Sequence, residues 1–451
     1  MVIYVTSKLP EDVVYIIKKL TAAGYEAYVA GGAVRDLMMG STPHDYDIAT
    51  SAHPETVKSQ FNRTIDTGLK HGTVTVIINK NGYEVTTFRL DGDYRDGRHP
   101  DKVEYVNSVY TDCARRDFTI NSMMFGYDGE IIDFFGGSQD IEKKLIRCVG
   151  EPEKRFMEDA LRMLRAVRFC AVLSFEMTPE VEKAIKKCSM LIKRVSNERI
   201  MEELNKILLS PNPDYFRMLH RLGLLQYIIP QLDMCFGERQ KNKYHIYDVG
   251  EHIMHAVKNA PCNLILRWAA LLHDVGKPFC SSTDSAGIIH FYGHHKESMR
   301  IAVDVLHKLH MDKDSIRSIS ILIENHDVRV DPSPASVKRM MARTGEQLFE
   351  QLMQLQRADN KAKSPTHFED KNKRITAAES TYRQILAEGQ PYLISHLVIN
   401  GKDLQKIGYK PGRTIGDTLK TLTDEVIIDS RLNNRDYLLK RAATLKRNFR
   451  H

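Results

Sequence analysis

Residues Tyr28 to Thr50 read YVAGGAVRDLMMGSTPHDYDIAT. An apolar run ends at Gly31-Gly32, where backbone N–H groups at a helix N-terminus can approach a phosphate closely. Asp45 and Asp47 follow, and alternate residues of a strand lie on one face. Two neighbouring carboxylates favour a cation between them, and oxygen ligands favour Mg²⁺ or Mn²⁺. The stretch therefore predicts a metal-dependent phosphate site, the alternative being a glycine turn followed by an acidic loop.

A third carboxylate is expected beside this pair. Two segments rich in β-branched residues, 73–78 and 83–88, flank the dipeptide Asn81-Gly82, which is typical of a hairpin turn. Glu84 lies in the second segment and could complete the ligand set of a two-metal phosphoryl-transfer site. Considered alone, a Glu on a strand edge is usually solvated.

Two further polar segments could contact a nucleotide. Residues 112–124 read DCARRDFTINSMM, in which Arg115 and Arg116 can neutralise phosphate. Asp117 and Asn121 are four residues apart, so they could share a helix face and hydrogen-bond a sugar hydroxyl. A structural salt-bridge cluster is the alternative. Residues 91–100 read DGDYRDGRHP, which is typical of a mobile loop close to a site.

Residues 151–169 read EPEKRFMEDALRMLRAVRF and predict one amphipathic helix. Asp159 and Arg162 are three residues apart, so their side chains should be neighbours, with Glu158 adjacent in sequence. One acceptor beside one fork of donors matches the pairing edge of cytosine or adenine. Uracil and guanine would leave buried polar groups unpaired. A plain ion pair on a solvated helix is the alternative.

A second set of polar residues follows residue 240. It contains His252, the adjacent pair His273-Asp274 at the end of an apolar helix, and Asp359. Adjacent buried His and Asp are costly unless both are engaged, and this set suits one divalent ion of unknown identity. His294 and His326 could hold a second ion or a phosphate.

Composition narrows the class of protein further. The chain has 451 residues, a net charge of +7 and seven scattered cysteines without a CxxC pair, so we expect a cytoplasmic protein without a disulfide framework. No membrane span or export signal is expected. The basic C-terminal segment, from Arg431 to Arg450, is either a solvated helix or a surface for RNA phosphates.

The motifs GGAVRD, HDYDIAT, YEVTTFR, RRDFTIN, EDALRMLRAVRF and VSNERIMEEL occur together and in this order. The chain thereby resembles class II tRNA nucleotidyltransferases, in particular the bacterial CCA-adding enzymes, whose heads are related to DNA polymerase β. The resemblance implies Mg²⁺ as the head's cofactor. It also implies roles for the residues named above: Asp45, Asp47 and Glu84 for the catalytic metals; Gly31, Gly32 and Arg35 for the triphosphate; Arg116 and Asp117 for the ribose; Asp159 and Arg162, oriented by Glu158, for the base.

The His/Asp set is similar to that of the HD phosphohydrolase superfamily, although His295 follows His294 where that family usually has Glu. We therefore expect an α+β fold: a nucleotidyltransferase head (1–140), then an all-helical neck (141–240), HD domain (241–365) and tRNA-binding tail (366–451). The expected activity adds C, C and A to tRNA 3′ ends from CTP and ATP. The alternatives are an A-adding enzyme, a poly(A) polymerase, or a metal phosphohydrolase with an RNA-binding head.

Overall fold

The computed structural model describes residues 9–68, 72–91, 103–238, 247–285, 287–363 and 368–448. The chain folds into two compact units, Met1–Pro230 and Gln231–His451. Of the loop expected at residues 91–100, the structure describes Asp91, and residues 92–100 lie outside the described residues. The finer division into four domains stays a prediction.

A mixed sheet forms the base of the first unit. The strands of this unit are β1 (Ala27–Ala30), β2 (Asp47–Thr50), β3 (Thr64–Gly68), β4 (Thr73–Ile78), β5 (Asn81–Thr87), β6 (Arg89–Asp91), β7 (Val103–Tyr105), β8 (Met124–Phe125), β9 (Ile131–Ile132), β10 (Leu145–Ile146) and β11 (Glu176–Met177). Among the described residues, the main sheet has the order β3-β4-β5-β2-β1-β8-β9. Its β2–β5 pair is parallel, whereas β1 is antiparallel to both β2 and β8. The predicted α+β head is confirmed.

Helices cover this sheet and follow it. They are α1 (Glu11–Ala22), α2 (Gly32–Met38), α3 (Pro54–Gln60), α4 (Val109–Ala114), α5 (Gly137–Glu142), α6 (Pro152–Glu158), α7 (Leu161–Leu173), α8 (Pro179–Cys188), α9 (Asn197–Leu208), α10 (Phe216–Arg221) and α11 (Leu225–Ile228). The apolar side chains of α1 recur at helical spacing, and Val13, Ile16 and Leu20 are fully buried in one core with the sheet residues Val29 and Val85.

The predicted hairpin forms, but its turn is two residues earlier than Asn81-Gly82. Ile78 pairs with Asn81 across the strands, so Asn79 and Lys80 make the turn, both with positive φ, at 48° and 71°. Two positive φ angles are what a two-residue hairpin turn with the strand twist requires. The shift leaves Glu84 within β5.

The predicted continuous helix over residues 151–169 is wrong. Asp159 adopts an extended conformation, with φ −140° and ψ 105°, and separates α6 from α7. Its carboxylate accepts a hydrogen bond from the backbone N–H of Leu161 at 3.0 Å, so it satisfies a donor in the first turn of α7. Asp159 therefore lies in the short connection between α6 and α7.

Gly137 lets α5 pack directly on the 3₁₀ turn Thr119–Asn121. A Cβ atom at position 137 would lie 2.2 Å from the backbone oxygen of Thr119. Such an approach is impossible without moving the backbone, so only glycine fits here.

The second unit is mainly helical. From the boundary onwards the helices are α12 (Pro230–Asp233), α13 (Val249–Asn259), α14 (Leu264–Leu272), α15 (His294–Lys308), α16 (Lys313–Asn325), α17 (Pro334–Thr344), α18 (Glu346–Lys361), α19 (Phe368–Ala387), α20 (Gly401–Lys406), α21 (Arg413–Ile428) and α22 (Arg435–Asn448). A short hairpin, β12 (Ser281–Thr283) with β13 (Ile289–Phe291), precedes α15. The largely helical composition predicted for the C-terminal region is confirmed.

Candidate functional site

The three predicted carboxylates line one recess in the first unit, of about 810 Å³. Ile48 of β2 pairs in parallel with Val85 of β5, so Asp47 and Glu84, one position earlier on each strand, lie side by side on the same face. Asp45 precedes the strand instead of belonging to it, and its Oδ1 lies 3.1 Å from His44 Nδ1. Sequence periodicity alone therefore placed Asp45 correctly in the recess but wrongly on the strand.

The charges in this recess are only partly compensated. Burial raises the pKa of Asp47, the charges of Glu84 and Asp45 raise it further, and Arg116 opposes the rise. The carboxylates thus repel one another within a small volume. A divalent cation would relieve that repulsion, and the all-oxygen donor set fits one.

A second cavity, of about 490 Å³, meets the recess at Asp47. Its lining contains most of the predicted nucleotide-binding residues and several arginines: Gly31, Gly32, Arg35, Asp47, Arg115, Arg116, Asp117, Asn121, Asp159, Leu161, Arg162, Arg165, Arg168, Phe169 and Arg199. The structure therefore brings together groups that are far apart in sequence, next to the carboxylates.

One wall of this cavity is the start of α2. Gly31 has φ +72°, a backbone conformation that favours glycine, and a Cβ atom there would lie 3.1 Å from Arg116 Nη1, a tight contact. Arg35 donates hydrogen bonds to Asp36 Oδ1 at 2.7 Å and to Asn121 Oδ1 at 2.9 Å. The Arg35 guanidinium is thus held in place facing the cavity.

A buried aspartate, Asp112, fixes two of the arginines. It accepts hydrogen bonds from Arg115 at 2.6 Å and from Arg116 at 3.0 Å. Burial alone would raise the pKa of Asp112, but Arg116 and Arg115 hold it below its ordinary value. Because the Asp112 carboxylate stays ionised, it holds the guanidinium groups of Arg115 and Arg116 in position.

Asp117 occupies the next part of the wall. Its Oδ2 accepts from Arg165 Nε at 2.7 Å. Burial would raise the pKa of Asp117, but Arg165 and Arg162 outweigh that effect and lower it. Asp117 lies between α4 and the 3₁₀ turn, so the shared helix face expected for Asp117 and Asn121 does not exist.

The predicted base-reading residues both line the cavity, but they are held by other partners. Asp159 Oδ2 accepts from Arg199 Nη2 at 2.8 Å, and its Oδ1 accepts from Arg199 Nη1 at 3.3 Å and from Leu161. Arg162 forms an ion pair with Glu158 and donates to the backbone oxygen of Arg115. The contact expected between Glu158 and Arg162 is present, and its role in reading the base stays a prediction.

A mixed sheet that carries clustered carboxylates beside a glycine-initiated helix and an arginine-lined cavity is typical of nucleotidyltransferases of the polymerase type. Residues 27–147 match the family model described as "Poly A polymerase head domain". Residues 174–236 match the model described as "Probable RNA and SrmB- binding site of polymerase A", and residues 285–442 match the one described as "tRNA nucleotidyltransferase domain 2 putative".

Similar proteins narrow the class. A CCA-adding enzyme of Ligilactobacillus salivarius is 33% identical over 434 residues, which cover 95% of each chain. The crystal structure of the Bacillus stearothermophilus CCA-adding enzyme in complex with CTP matches with a TM-score of 0.75 at 29% identity, over 98% of this chain and 100% of that one. A Thermotoga maritima CCA-adding enzyme complexed with tRNA shares the fold, with a TM-score of 0.62 at 19% identity over 98% and 99% of the two chains. The chain belongs to the CCA-adding enzyme family and is a nucleotidyltransferase.

The second unit contains a separate buried cluster, the His/Asp centre, formed by His252, His273, Asp274, His294, His326 and Asp359. His252 lies on α13, His273 and Asp274 directly follow α14, and Asp359 lies on α18. His252 Nε2 is 3.2 Å from Asp274 Oδ2 and 3.0 Å from Asp359 Oδ1. The ligand atoms of His252, His273 and Asp274 lie within 4.8 Å of one another.

The remaining two histidines face the other oxygen of the same aspartate. His294 Nε2 lies 3.3 Å, and His326 Nε2 3.7 Å, from Asp274 Oδ1. These three groups also lie within metal-ligand reach of one another. Asp274 therefore stands between two sets of potential ligands, and binding of a second ion or a phosphate by His294 and His326 stays a prediction.

The electrostatics of the centre show that its carboxylates stay charged. Burial works against ionisation, but His273 and Lys277 hold the pKa of Asp274 well below its usual value. Burial would lower the pKa of His273, yet Asp274 and Asp359 raise it to about 9. Oxygen Oδ1 of Asp359 lies 3.0 Å from His252 Nε2, and Oδ1 of Asp274 lies 3.3 Å from His294 Nε2, but neither buried oxygen receives a well-directed hydrogen bond. Such orphaned oxygens beside imidazole nitrogens fit a divalent metal ion.

Several site residues escaped sequence reasoning. In the first unit these are Asp112, Arg165 and Arg199, and in the second Lys277 and Lys363, each held by a site carboxylate or arginine. Asp112, Lys277 and Lys363 each had a local signal, since each stands three or four residues from its partner. Arg165 and Arg199 lie far from their partners in sequence.

Part of the basic C-terminal segment is engaged within the chain. Arg435 pairs with Asp403 at 2.6 Å, and Arg441 with Glu425 at 2.8 Å, in partly exposed contacts. Contacts of this segment with tRNA stay a prediction, and Arg450 lies outside the described residues. Within the described residues, no helix combines the length and the apolar character that a membrane span needs.

Proposed function

We propose that the chain adds C, C and A to the 3′ end of tRNA, using CTP and ATP and no nucleic-acid template. The observation that carries this proposal is the cavity in which Gly31, Arg116 and Asp117, Asp159 and Arg162 all face the space next to Asp47. The relatives that contain CTP or tRNA support the same substrates.

The reaction joins the tRNA 3′ oxygen to the α-phosphorus of the nucleotide. The bond from that phosphorus to the β-bridging oxygen breaks, the hydroxyl proton is lost and pyrophosphate leaves. Asp45, Asp47 and Glu84 would hold Mg²⁺, which when bound activates the attacking hydroxyl and steadies pyrophosphate. The N–H groups at the start of α2 and Arg35 orient the triphosphate, and Arg116 and Asp117 orient the ribose.

The base is selected by Asp159 and Arg162. A carboxylate has about four acceptor positions, and three of those of Asp159 are occupied by Arg199 and the Leu161 N–H. The fourth can accept the amino group that cytosine and adenine share. Arg162 donates to the adjacent ring acceptor. With uracil or guanine, a ring N–H would face the Arg162 donor and a carbonyl oxygen would face the Asp159 acceptor, so neither hydrogen bond would form.

The decisive experiment supplies the purified chain with tRNA that ends at the discriminator base, together with labelled CTP, ATP or both. We expect two cytidines with CTP alone and a final adenosine when ATP is present. Adenosine addition only to tRNA that already ends in CC would instead establish an A-adding enzyme, and long adenosine tails would establish a poly(A) polymerase. An Asp47→Asn chain serves as the inactive control.

The buried His/Asp centre favours a second candidate function, phosphoester hydrolysis by an HD-type domain. His252, His273, Asp274 and Asp359 would hold one divalent ion, and His294 and His326 with Asp274 a second. A bound ion supplies an activated water at neutral pH. Metal analysis of the purified chain, release of phosphate from adenosine 2′-monophosphate and ring opening of 2′,3′-cyclic phosphates to monophosphates test it. A chain that binds metal but carries out neither reaction would refute hydrolysis.

A cytoplasmic location is part of the proposal. The cysteines are all free, and five of the seven are buried, as expected in a reducing compartment. Separation of cell fractions, with detection of the untagged chain, checks this expectation.

A further inference from the structure

A small cavity of about 200 Å³, the side cavity, adjoins the His/Asp centre. His326 and Asp359 contribute to its lining and also belong to the centre. Sites for whole small-molecule ligands occupy about 300–1,000 Å³. The side cavity therefore suits one chemical group of a larger ligand whose remainder lies at the centre.

The side cavity is lined by more cations than anions. The cations are Arg329, Lys363, Lys371 and Arg374, and the carboxylates are Asp327 and Asp359. Such a lining attracts an anion, and guanidinium and ammonium groups together are typical of phosphate sites.

The negative charge of Asp359 offsets the excess positive charge of the side cavity only in part. Its Oδ1 faces His252 at 3.0 Å and His273 at 3.6 Å, whereas its Oδ2 accepts from Lys363. One oxygen is thus committed to the centre and the other to the side cavity. Lys363 marks the boundary between them.

Arg374 has the clearest capacity to bind a ligand. It is half-buried on α19, and it makes no hydrogen bond or ion pair with any residue that the structure describes. Arg329, by contrast, is paired with Asp331 at 3.1 Å at the surface. A half-buried guanidinium without an acceptor is unusual, because its five donors lose water without replacement.

We propose that the side cavity binds a second phosphoryl group of the molecule whose scissile phosphate lies at the His/Asp centre. This inference rests on the hydrolase function proposed above and deepens it: the substrate carries two phosphate groups. In the reaction, a water oxygen bonds to the scissile phosphorus, the ester P–O bond breaks, and the departing ribose oxygen takes a proton from that water. The second phosphate is unchanged and contributes binding through Arg374, Lys371 and Lys363.

The first test compares hydrolysis of three substrates by the metal-loaded full chain. They are adenosine 2′-monophosphate, adenosine 2′,5′-bisphosphate, and an ApA dinucleotide with a terminal 2′-phosphate. We expect kcat/KM for at least one two-phosphate substrate to exceed that of the monophosphate by about tenfold, mainly through KM. Preference for the dinucleotide would assign an RNA end, and preference for the bisphosphate a free nucleotide.

Variants connect that preference to the side cavity. Arg374→Gln should reduce the preference to about twofold or less, and Arg374→Lys should retain part of it, since a lysine keeps the charge but not the fork. Lys420→Gln removes one exposed charge of α21 outside the cavity and should leave the preference unchanged. Equal kcat/KM for all three substrates, or a preference insensitive to Arg374→Gln, would overturn the inference while leaving the hydrolase function in place.

The second test does not depend on hydrolysis. Binding of inorganic phosphate is measured by calorimetry on the full chain after removal of metal, so that ions at the centre do not contribute. We expect Arg374→Gln to weaken this binding by about tenfold relative to the Lys420→Gln chain. Equal phosphate affinity of the two variants counts against the side cavity. Phosphate binding that depends on Arg374, without hydrolysis of any substrate, would instead refute the hydrolase function.

Discussion

The carboxylate recess of the first unit and the His/Asp centre of the second both gather potential metal ligands, but in opposite surroundings. The Asp45 side chain is 87% exposed, whereas those of His273 and Asp274 are at most 2% exposed. An open all-oxygen site lets Mg²⁺ keep water and accept triphosphate oxygens. A buried site with imidazole suits zinc or another transition metal, held by the protein alone. The two sites therefore differ in solvent accessibility as clearly as in the type of ligand that they offer to a metal ion.

The substitution Asp47→Asn should distinguish the functions of the two sites most clearly. Loss of one of the three carboxylate charges in the recess should reduce cytidine incorporation into tRNA by about 10³-fold, while metal content at the His/Asp centre stays constant. Incorporation assays and metal analysis on the same preparation measure both. Asp66→Asn, on β3 outside the recess, is the matched control. Activity within tenfold of the native chain would remove Asp47 from the catalytic group.

Asp112→Asn tests whether the open site depends on buried support. Removal of the partner of two arginines should lower the free energy of unfolding by about 3 kcal/mol at neutral pH. Because the folded pKa of Asp112 is below the ordinary value of 3.8, its stabilisation is complete above that pH and is lost as the pH falls through the folded pKa. The difference between native and variant chains should therefore shrink in acid.

Urea unfolding followed by circular dichroism at several pH values provides this measurement. Asp66→Asn again serves as control, because the Lys58–Asp66 pair is exposed and should contribute less than about 1 kcal/mol. Equal losses for the two variants would mean that Asp112 is not an anchor.

Asp274→Asn probes the buried site. With one oxygen facing each ligand set, this residue should affect every ion bound there, so we expect divalent-metal affinity to fall by at least about 100-fold. Cytidine incorporation should change by less than about twofold. Asp304→Asn, an exposed change on α15, is the control. Full metal content in the Asp274→Asn chain would show that the centre is not a metal site.

The smallest expected effect concerns Arg199. Its two hydrogen bonds hold the Asp159 carboxylate, so Arg199→Gln should raise KM for both CTP and ATP by about tenfold with little change in kcat. Arg199→Lys should recover part of the loss. Steady-state kinetics with each nucleotide distinguish this from a general loss of folding, which would lower kcat without raising KM.

The sequence predicted the residues that could bind metal or nucleotide, but not the residues that hold them in place. Alternation along a strand and helix spacing place Asp47, Glu84 and the histidines, since these signals depend on neighbours within a few residues. Arg199 and Arg165 act through contacts that only tertiary packing creates: Arg199 is 40 positions from Asp159, and Arg165 is 48 positions from Asp117. No local pattern reports such a pair.

Two local errors have physical causes. Helix propensity is continuous through residues 151–169, yet Asp159 leaves the helix because its short carboxylate competes for a backbone N–H. In the hairpin, register across β4 and β5 placed the turn at Asn79-Lys80, overriding the stronger turn propensity of Asn81-Gly82. The four-domain division stays a prediction.

Gly137 carries a consequence for engineering this chain. It contacts the turn that ends at Asn121, and Asn121 accepts a hydrogen bond from Arg35, the residue that we propose orients the triphosphate. A single methyl group at position 137 would push that turn outward and tilt Arg35 without touching any ligand. Mutational libraries aimed at substrate range should therefore leave this glycine untouched, because a substitution outside the cavity can lower nucleotide affinity, as a substitution inside it can.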